Sequence, residues 1–538
     1  MNYRLNFEKK FSLLIATLYI GWAIFFVFNT SFVAIDGKRY YSLFDDAMIS
    51  MRYAWNFSHG NGLVWNSGEF VEGYSNFLMT LVMSVFTSLL DKKTAVLGVQ
   101  LLGAFTVLGV AIVAKSLFNK IQENNFLSTG VFVLVLFYYP LSYWSLMGME
   151  TGLLSILLLL AFFQSVCWLR TKNESQLFFS FIFFGFAFLT RNDALIYSAI
   201  TLVYYFILSV YTKDFSSVKS ILFSGLILGF FVVSQTIFRW LYYGDILPNT
   251  YYLKVDQVPF LIRINDGLVY SWDFIKSNNL LLLLALFGSL FRSNSKKIYF
   301  LILILFAVVY QIYVGGDAWG RWRFMIPVIP LIMILSTLFM KDVIDLILEK
   351  SQKTFNMFFK KNMKELVFFI FFAIVCYLNA FPYLNEIRLK VQLSDVIYNQ
   401  NNINKSVALN AILMPQATIG VFWAGSIPYY TDRYAIDFLG KSDLYIARMY
   451  PHLPSEFVWL QKITIPGHNK YDLNYSIKEL QPVYIQRYHW IGQNLRRYTV
   501  ENYVRFEYVD ENGVTTLILK KDSPYVYWDR GKVLMWGE

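Results

Sequence analysis

Apolar residues dominate the first 382 positions as unbroken runs, not as stripes with helical or alternating spacing. Runs at 11–29, 95–114, 126–140, 152–169, 177–189, 194–211, 220–243, 278–291, 298–314, 324–340 and 366–382 come close to membrane-crossing length. A helix of about 20 residues crosses a hydrocarbon core about 30 Å thick. A twelfth run, 76–90, is ambiguous, because if it crossed, every later loop would change sides. Loop charge decides. With the N-terminus inside and 76–90 lying along the interface, the cytoplasmic loops hold Arg4, Lys9, Lys10, Lys115, Lys120, Arg170, Lys172, Lys213, Lys219, Arg292, Lys296 and Lys297, then a basic loop over 341–365. Positive loops stay inside. The pattern therefore predicts eleven spans plus one interfacial helix, with 11–29 a retained first helix rather than a cleaved leader.

Beyond 382 the pattern changes. Residues 417–424 (ATIGVFWA) read as a strand followed by Gly425 and Pro428, and 503–509 and 514–520 flank the turn Asp510, Glu511, Asn512, Gly513. Helical stretches near 441–449 and 477–480 complete an α/β domain. The division is a membrane domain over 1–382 and an extracytoplasmic domain over 383–538.

Composition agrees: 56% of residues are hydrophobic and only 15% charged, against roughly 25% in soluble domains, which excludes a soluble enzyme. The net charge is +11, the positive charge lies mostly on the inner loops, and the tail from 383 carries 17 Lys plus Arg against 15 Asp plus Glu. No basic stripe remains for nucleic acid. Cys167 and Cys376 lie in apolar runs, and four histidines show no zinc-ligand spacing. Any metal would be held by oxygen.

Charged groups gather instead on outward-facing loops. The first loop has Asp45 and Asp46 side by side, then Glu69 and Glu72. Adjacent carboxylates near a bilayer either share a proton or share a cation (Mg, Mn or Ca), and one of them can serve as a base. An alternative makes Asp45 or Asp46 the N-cap of a helix running through Tyr53. The loop 315–323 (GGDAWGRWR) carries Asp317, Arg321 and Arg323 among Trp and Gly, a composition suited to bidentate phosphate binding or to interfacial anchoring. Arg191 stands beside Asp193 at a span end, an ion pair or a phosphate ligand. Glu150, Asp245, Asn249 and Tyr252 complete the set as candidate substrate contacts.

The stretch DDAMISMRYAWNFSHGNGLVWNSGEFVEGYSNFLMTL resembles the first extracytoplasmic loop of GT-C glycosyltransferases related to the terminal β-arabinofuranosyltransferases of the mycobacterial cell wall. GMETGLLS, LTRND, YYGDILPNTYYLK, VGGDAWGRWRFMIPVIP and GSIPYYTDRYAIDFLGKSDLYIAR follow in order. The resemblance implies a GT-C fold in a bacterial inner membrane, a polyprenyl-phosphate sugar donor, and inverting transfer of a pentose or hexose, arabinofuranose favoured, to a cell-envelope glycan or glycoprotein on the outer face. It also implies catalysis at Asp45 and Asp46. Asn192 and Asp193 stand where related chains often have Pro-Glu, a departure that bears on sugar identity. In this reading Arg321, Arg323 and Arg191 clamp the donor phosphate, and Glu72, Glu150, Asp245, Asn249, Tyr252 and Asp317 contact substrate. Competing readings are a lipid-linked sugar flippase, which needs midplane charges that this pattern lacks, and a transferase of the same superfamily that modifies lipid or pilin.

Overall fold

Each apolar run becomes helix because a backbone in hydrocarbon must satisfy its own hydrogen bonds. The computed structural model describes residues 2–350 and 357–536. Its first 390 positions contain α1 (Asn2–Thr30), α2 (Asp45–Ser58), α3 (Phe77–Leu89), α4 (Lys92–Ile121), α5 (Asn125–Leu136), α6 (Tyr139–Leu146), α7 (Thr151–Thr171), α8 (Glu174–Thr190), α9 (Leu195–Tyr211), α10 (Phe215–Tyr243), α11 (Asn249–Lys254), α12 (Phe260–Ser277), α13 (Asn279–Leu290), α14 (Ser295–Val314), α15 (Ile329–Lys350), α16 (Met357–Ala380) and α17 (Leu384–Ile387).

Among the described residues seven helices are long and apolar enough to cross a membrane, or nine if each of two bent pairs counts as one span. This is a multi-pass membrane protein. The expected spans at 177–189 and 324–340 fall on α8, which has 17 residues, and on α15, whose second half carries Lys341, Asp342 and Asp345. With 13 residues, α3 is short for a crossing, as expected of an interfacial segment.

Three sequence expectations need correction. The run 126–140 is not one straight helix: α5 and α6 meet at 52°, with Pro140 in the first turn of α6, where its missing N–H and its ring prevent α5 from running on through it. The run 278–291 is only the second arm of a pair bent by 87°. Its first arm, α12, was missed because Arg263, Asp266 and Asp273 break the apolar run. The basic stretch 341–365 is largely helix at both ends, not loop, with Lys341 beside Asp345 at 3.1 Å. Lys353, within that stretch, lies outside the described residues.

The first loop holds a two-residue pairing of β1 (Phe32–Val33) with β2 (Arg39–Tyr40). After helix α18 (Ser394–Ile412) come β3 (Ile419–Val421), β4 (Ala435–Asp437), β5 (Tyr484–Ile485), the short pair β6 (His489–Trp490) and β7 (Gln493–Asn494), then β8 (Tyr503–Asp510), β9 (Gly513–Lys520) and β10 (Lys532–Leu534). Six strands form one sheet in the order β10-β8-β9-β5-β3-β4, with β3 parallel to β4 and β5 and the rest antiparallel. The expected hairpin is β8–β9, closing with Asp510 opposite Gly513. The strand expected over 417–424 is shorter, and the helical stretches at 441–449 and 477–480 are the single turns Leu444–Arg448 and Asn474–Glu479.

This sheet shares its core with the first loop. Ile49, Tyr53, Trp65 and Tyr74 pack with Ile419, Val421, Leu517 and Leu519. Buried Arg52 fastens the contact: its guanidinium donates to Trp65 O, Asn66 Oδ1 at 3.0 Å, Arg433 O at 2.8 Å and Pro428 O. Glycine permits the approach, since a Cβ on Gly425 would lie 2.2 Å from Asp45 O and one on Gly73 would lie 2.4 Å from Ser442 Oγ. The C-terminal domain therefore forms one wall of whatever the first loop builds.

Candidate active site

Asp45 and Asp46 open α2 at its first two positions, behind Phe44 as N-cap, so neither carboxylate is the cap. Successive helical residues point about 100° apart, and the two side chains separate accordingly. Asp45 accepts from the backbone N–H of Gly425 (3.1 Å) and Ser426 (3.0 Å), which latches the C-terminal domain to α2. Burial raises its carboxyl above the usual range, offset in part by the Ser426 bond. Asp46 turns instead into a small cavity of about 70 Å³. Lys441 Nζ lies 2.5 Å from its Oδ1, and Arg323 Nη1 lies 3.3 Å from its Oδ2. Burial alone would raise the Asp46 carboxyl, but Lys441, Arg323 and Lys254 outweigh it and hold it well below the carboxylate range.

The cavity is walled by Arg323, Arg191, Glu150, Asn76, Lys254 and Lys441. Arg323 is held bidentately by Asp317 at 2.6 and 3.0 Å, leaving one arm for Asp46. Arg191 donates to Asp193 (2.8 Å) and Glu150 (2.9 Å) and lies 3.9 Å from the centre of the Phe324 ring. Glu150 also accepts from Asn76 at 3.2 Å. Lys254 differs from these cations: it makes no ion pair or hydrogen bond with any described residue. Burial, helped by the Arg323 charge, lowers its pKa to about 8. Lys254, Arg191, Thr250, Ser75 and Phe324 also line a second cavity, which reaches Tyr310, Gln311 and Val314 on α14, so the site opens toward a membrane helix.

Other expected site residues fall elsewhere. Arg321 does not join Arg323. Arg321 and Trp322 have φ of 58° and 45°, and this left-handed stretch carries the two guanidiniums apart. Arg321 pairs with Glu386 (2.8 Å) and stacks over Tyr143 at 4.0 Å. Glu72 is buried against Arg239 (2.7 Å), whose other arm reaches Asn192 Oδ1 at 3.1 Å. Asp245 is taken by Arg448 and by the Tyr252 hydroxyl at 2.7 Å. Asn249 donates to the carbonyls of Gly440 and Lys441, both at 3.0 Å, and so holds the loop that presents Lys441. Asp317, Glu72, Asp245, Asn249 and Tyr252, expected as substrate contacts, are thus each engaged by partners within the protein.

Two residues at the centre were missed. Lys441 sits 395 residues from Asp46 in a different domain, and no local pattern links them. Lys254 ended a motif read only as a whole. A divalent cation shared by Asp45 and Asp46 does not fit this donor set, because Asp45 spends both oxygens on N–H groups and Asp46 already faces an ammonium and a guanidinium. Among the described residues no three His, Cys, Asp or Glu side chains converge as metal ligands.

Residues 74–238 match the family model described as dolichyl-phosphate-mannose-protein mannosyltransferase, and 391–517 match a domain of unknown function, DUF8728. A curated relative, terminal beta-(1->2)-arabinofuranosyltransferase of Mycobacterium tuberculosis, is 28% identical over 248 residues, covering 43% of this chain. That match spans only 37% of the relative's own length. Two solved structures share the fold. ArnT from Cupriavidus metallidurans, bound to undecaprenyl phosphate, has a TM-score of 0.51 at 12% identity, covering 78% of this chain and 85% of that one. Oligosaccharyltransferase AglB from Archaeoglobus fulgidus, in complex with an inhibitory peptide and a dolichol-phosphate, has a TM-score of 0.51 at 9% identity, covering 98% and 77%. With its helical membrane domain and C-terminal sheet, the chain has the GT-C fold.

Proposed function

We propose that this protein transfers a sugar from a polyprenyl-phosphate donor to an envelope glycan or glycoprotein, at the Asp46 cavity and on the extracytoplasmic side of a bacterial inner membrane. The observation that carries the reading is one carboxylate facing Lys441, Arg323 and a free Lys254 in a cavity that opens toward α14. Lipid phosphate is a good leaving group, so the protein must take the acceptor proton and hold the departing charge. Asp46 accepts the hydroxyl proton. The acceptor oxygen bonds to C1 as the C1–O bond to phosphate breaks, which inverts C1, and the negative charge of the leaving phosphate falls to Arg323, Lys254 and Arg191.

With its cations so near, resting Asp46 is too weak a base. An arriving phosphate competes for Arg323 and Lys254, weakens their hold on Asp46 and raises its basicity. Base strength is thereby tied to donor occupancy, which protects against idle proton exchange. No divalent ion is needed, because the site carries its own positive charge.

Arabinofuranose is the favoured sugar, supported by the 28% identical relative. The test is a panel of synthetic polyprenyl-phosphate sugars, arabinofuranose and mannose first, given to the purified full chain with a cell-envelope glycan. Labelled product from one donor supports transfer and names the sugar. Movement of intact donor across vesicles with no transfer would replace this reading with a flippase.

A further inference from the structure

Beside Asp46, on the side formed by the C-terminal domain, three tryptophans surround one histidine. Trp319 comes from the membrane-domain loop, and Trp423, Trp490 and His468 from the C-terminal domain. Ring centres of His468 lie 5.6 Å from Trp319, 6.5 Å from Trp423 and 6.4 Å from Trp490, and Trp319 lies 6.4 Å from Trp423. All three tryptophans are half-buried, whereas His468 is 4% exposed.

The polar atoms of this nest are unevenly used. His468 Nδ1 lies 3.2 Å from the Pro466 carbonyl, which can only accept, so Nδ1 carries the proton and Nε2 presents a lone pair. That Nε2 is buried without a partner, and a buried unsatisfied polar atom in a native fold calls for an explanation. Trp490 donates to His468 O at 3.2 Å. Trp319 and Trp423 make no side-chain hydrogen bond with any described residue, so their indole N–H groups face outward unused. Flat apolar faces combined with one acceptor and two donors match a neutral sugar ring, which has an apolar C–H face and hydroxyls at its edge. A phosphate oxygen would face the Nε2 lone pair, and an apolar chain would leave Nε2 unpaired.

Resting on the transferase reading above, we propose that Trp319, Trp423 and Trp490 form the acceptor-sugar subsite, in which a sugar hydroxyl donates to His468 Nε2. The nest adjoins the reacting centre closely enough for the charges of Lys441, Asp46 and Lys254 to act on the His468 imidazole, and burial, the larger influence, keeps that imidazole neutral at pH 7. A sugar stacked here would hold its attacking hydroxyl on the C-terminal-domain side of Asp46, with the donor on the α14 side. The attacking hydroxyl and the leaving phosphate then approach C1 from opposite sides, as in-line displacement requires.

The test uses the detergent-purified full chain and two neutral probes, methyl glycosides of an arabinofuranosyl and a mannosyl disaccharide. Saturation-transfer NMR without donor reads binding, and steady-state kinetics reads donor and acceptor KM separately. Trp423→Ala and His468→Gln are expected to weaken binding and raise acceptor KM by about three- to tenfold, with donor KM unchanged. Trp423→Phe, which keeps a ring, should recover most of the loss and guards against a variant that simply misfolds. Equal binding by wild type and both variants, or no binding of either glycoside by wild type, overturns the subsite. Glycan binding that the variants lose, in a protein that turns over no donor, upholds the subsite and removes the transferase reading instead.

Discussion

Replacing Lys441 by Met removes the nearest positive charge from Asp46 while keeping the length of the side chain. The ammonium lies 2.5 Å from Asp46 Oδ1, and the remaining contact is Arg323 at 3.3 Å, already shared with Asp317. Removing one member of a buried pair typically costs about 3–5 kcal/mol. At about 1.36 kcal/mol per pKa unit, that corresponds to about two to three and a half units on the Asp46 carboxyl. Desolvation, the largest influence on this group, then acts with less opposition. The Asp46 carboxyl, held far below the usual range, would rise toward the ordinary carboxylate range. The assay is kcat/KM for transfer between pH 4 and 9. Wild type should show no acid limb in this range, whereas Lys441→Met should begin to lose activity toward its acid end, together with a lower melting temperature. Superimposable profiles in a folded variant would refute the claim that Lys441 sets the charge of Asp46.

Asp46→Asn should lower kcat at least a hundredfold with little change in donor affinity, measured by donor titration and single-turnover rates. Asp45→Asn should mainly loosen the latch to Gly425 and Ser426, costing about 1.5–3 kcal/mol of stability in thermal unfolding with a smaller effect on rate. Arg323→Ala and Lys254→Ala should raise donor KM, whereas Arg321→Ala should leave it unchanged and lower only thermal stability, because its partner is Glu386. His468 is neutral in the fold, its pKa lowered by burial from 6.5 to about 4. Between those values the unfolded chain binds a proton that the folded chain does not, so stability should fall as pH drops from 6.5 toward 4. The loss is on the order of 3 kcal/mol and should disappear in His468→Gln. EDTA should leave the transfer rate unchanged.

The spans were legible because the bilayer imposes one crude requirement, a long apolar run, and α1, α4, α7, α10 and α14 meet it openly. The amphipathic α12 was not legible, since its polar face reads as loop when only run length is scored. Asp45 and Asp46 stood out because two adjacent carboxylates need a reason, but which of them faces the cavity depends on helical phase and on where Gly425 docks. Arg321 and Arg323 looked like one clamp in linear spacing, and two residues of left-handed backbone send them to different partners. Lys441 carried no local sign at all. Its place beside Asp46 follows from Asn249 holding its loop and from the absence of a Cβ on Gly73, contacts made between residues hundreds of positions apart.

The measurement closest to the central claim is anomeric NMR of the product formed by purified wild type and by Asp46→Asn from one polyprenyl-phosphate sugar of defined anomeric configuration. The account predicts a single product with inverted C1 from wild type and almost none from Asp46→Asn, although the variant still binds the donor. Retention at C1, or product formed equally by both proteins, would contradict an Asp46-assisted single displacement at this cavity.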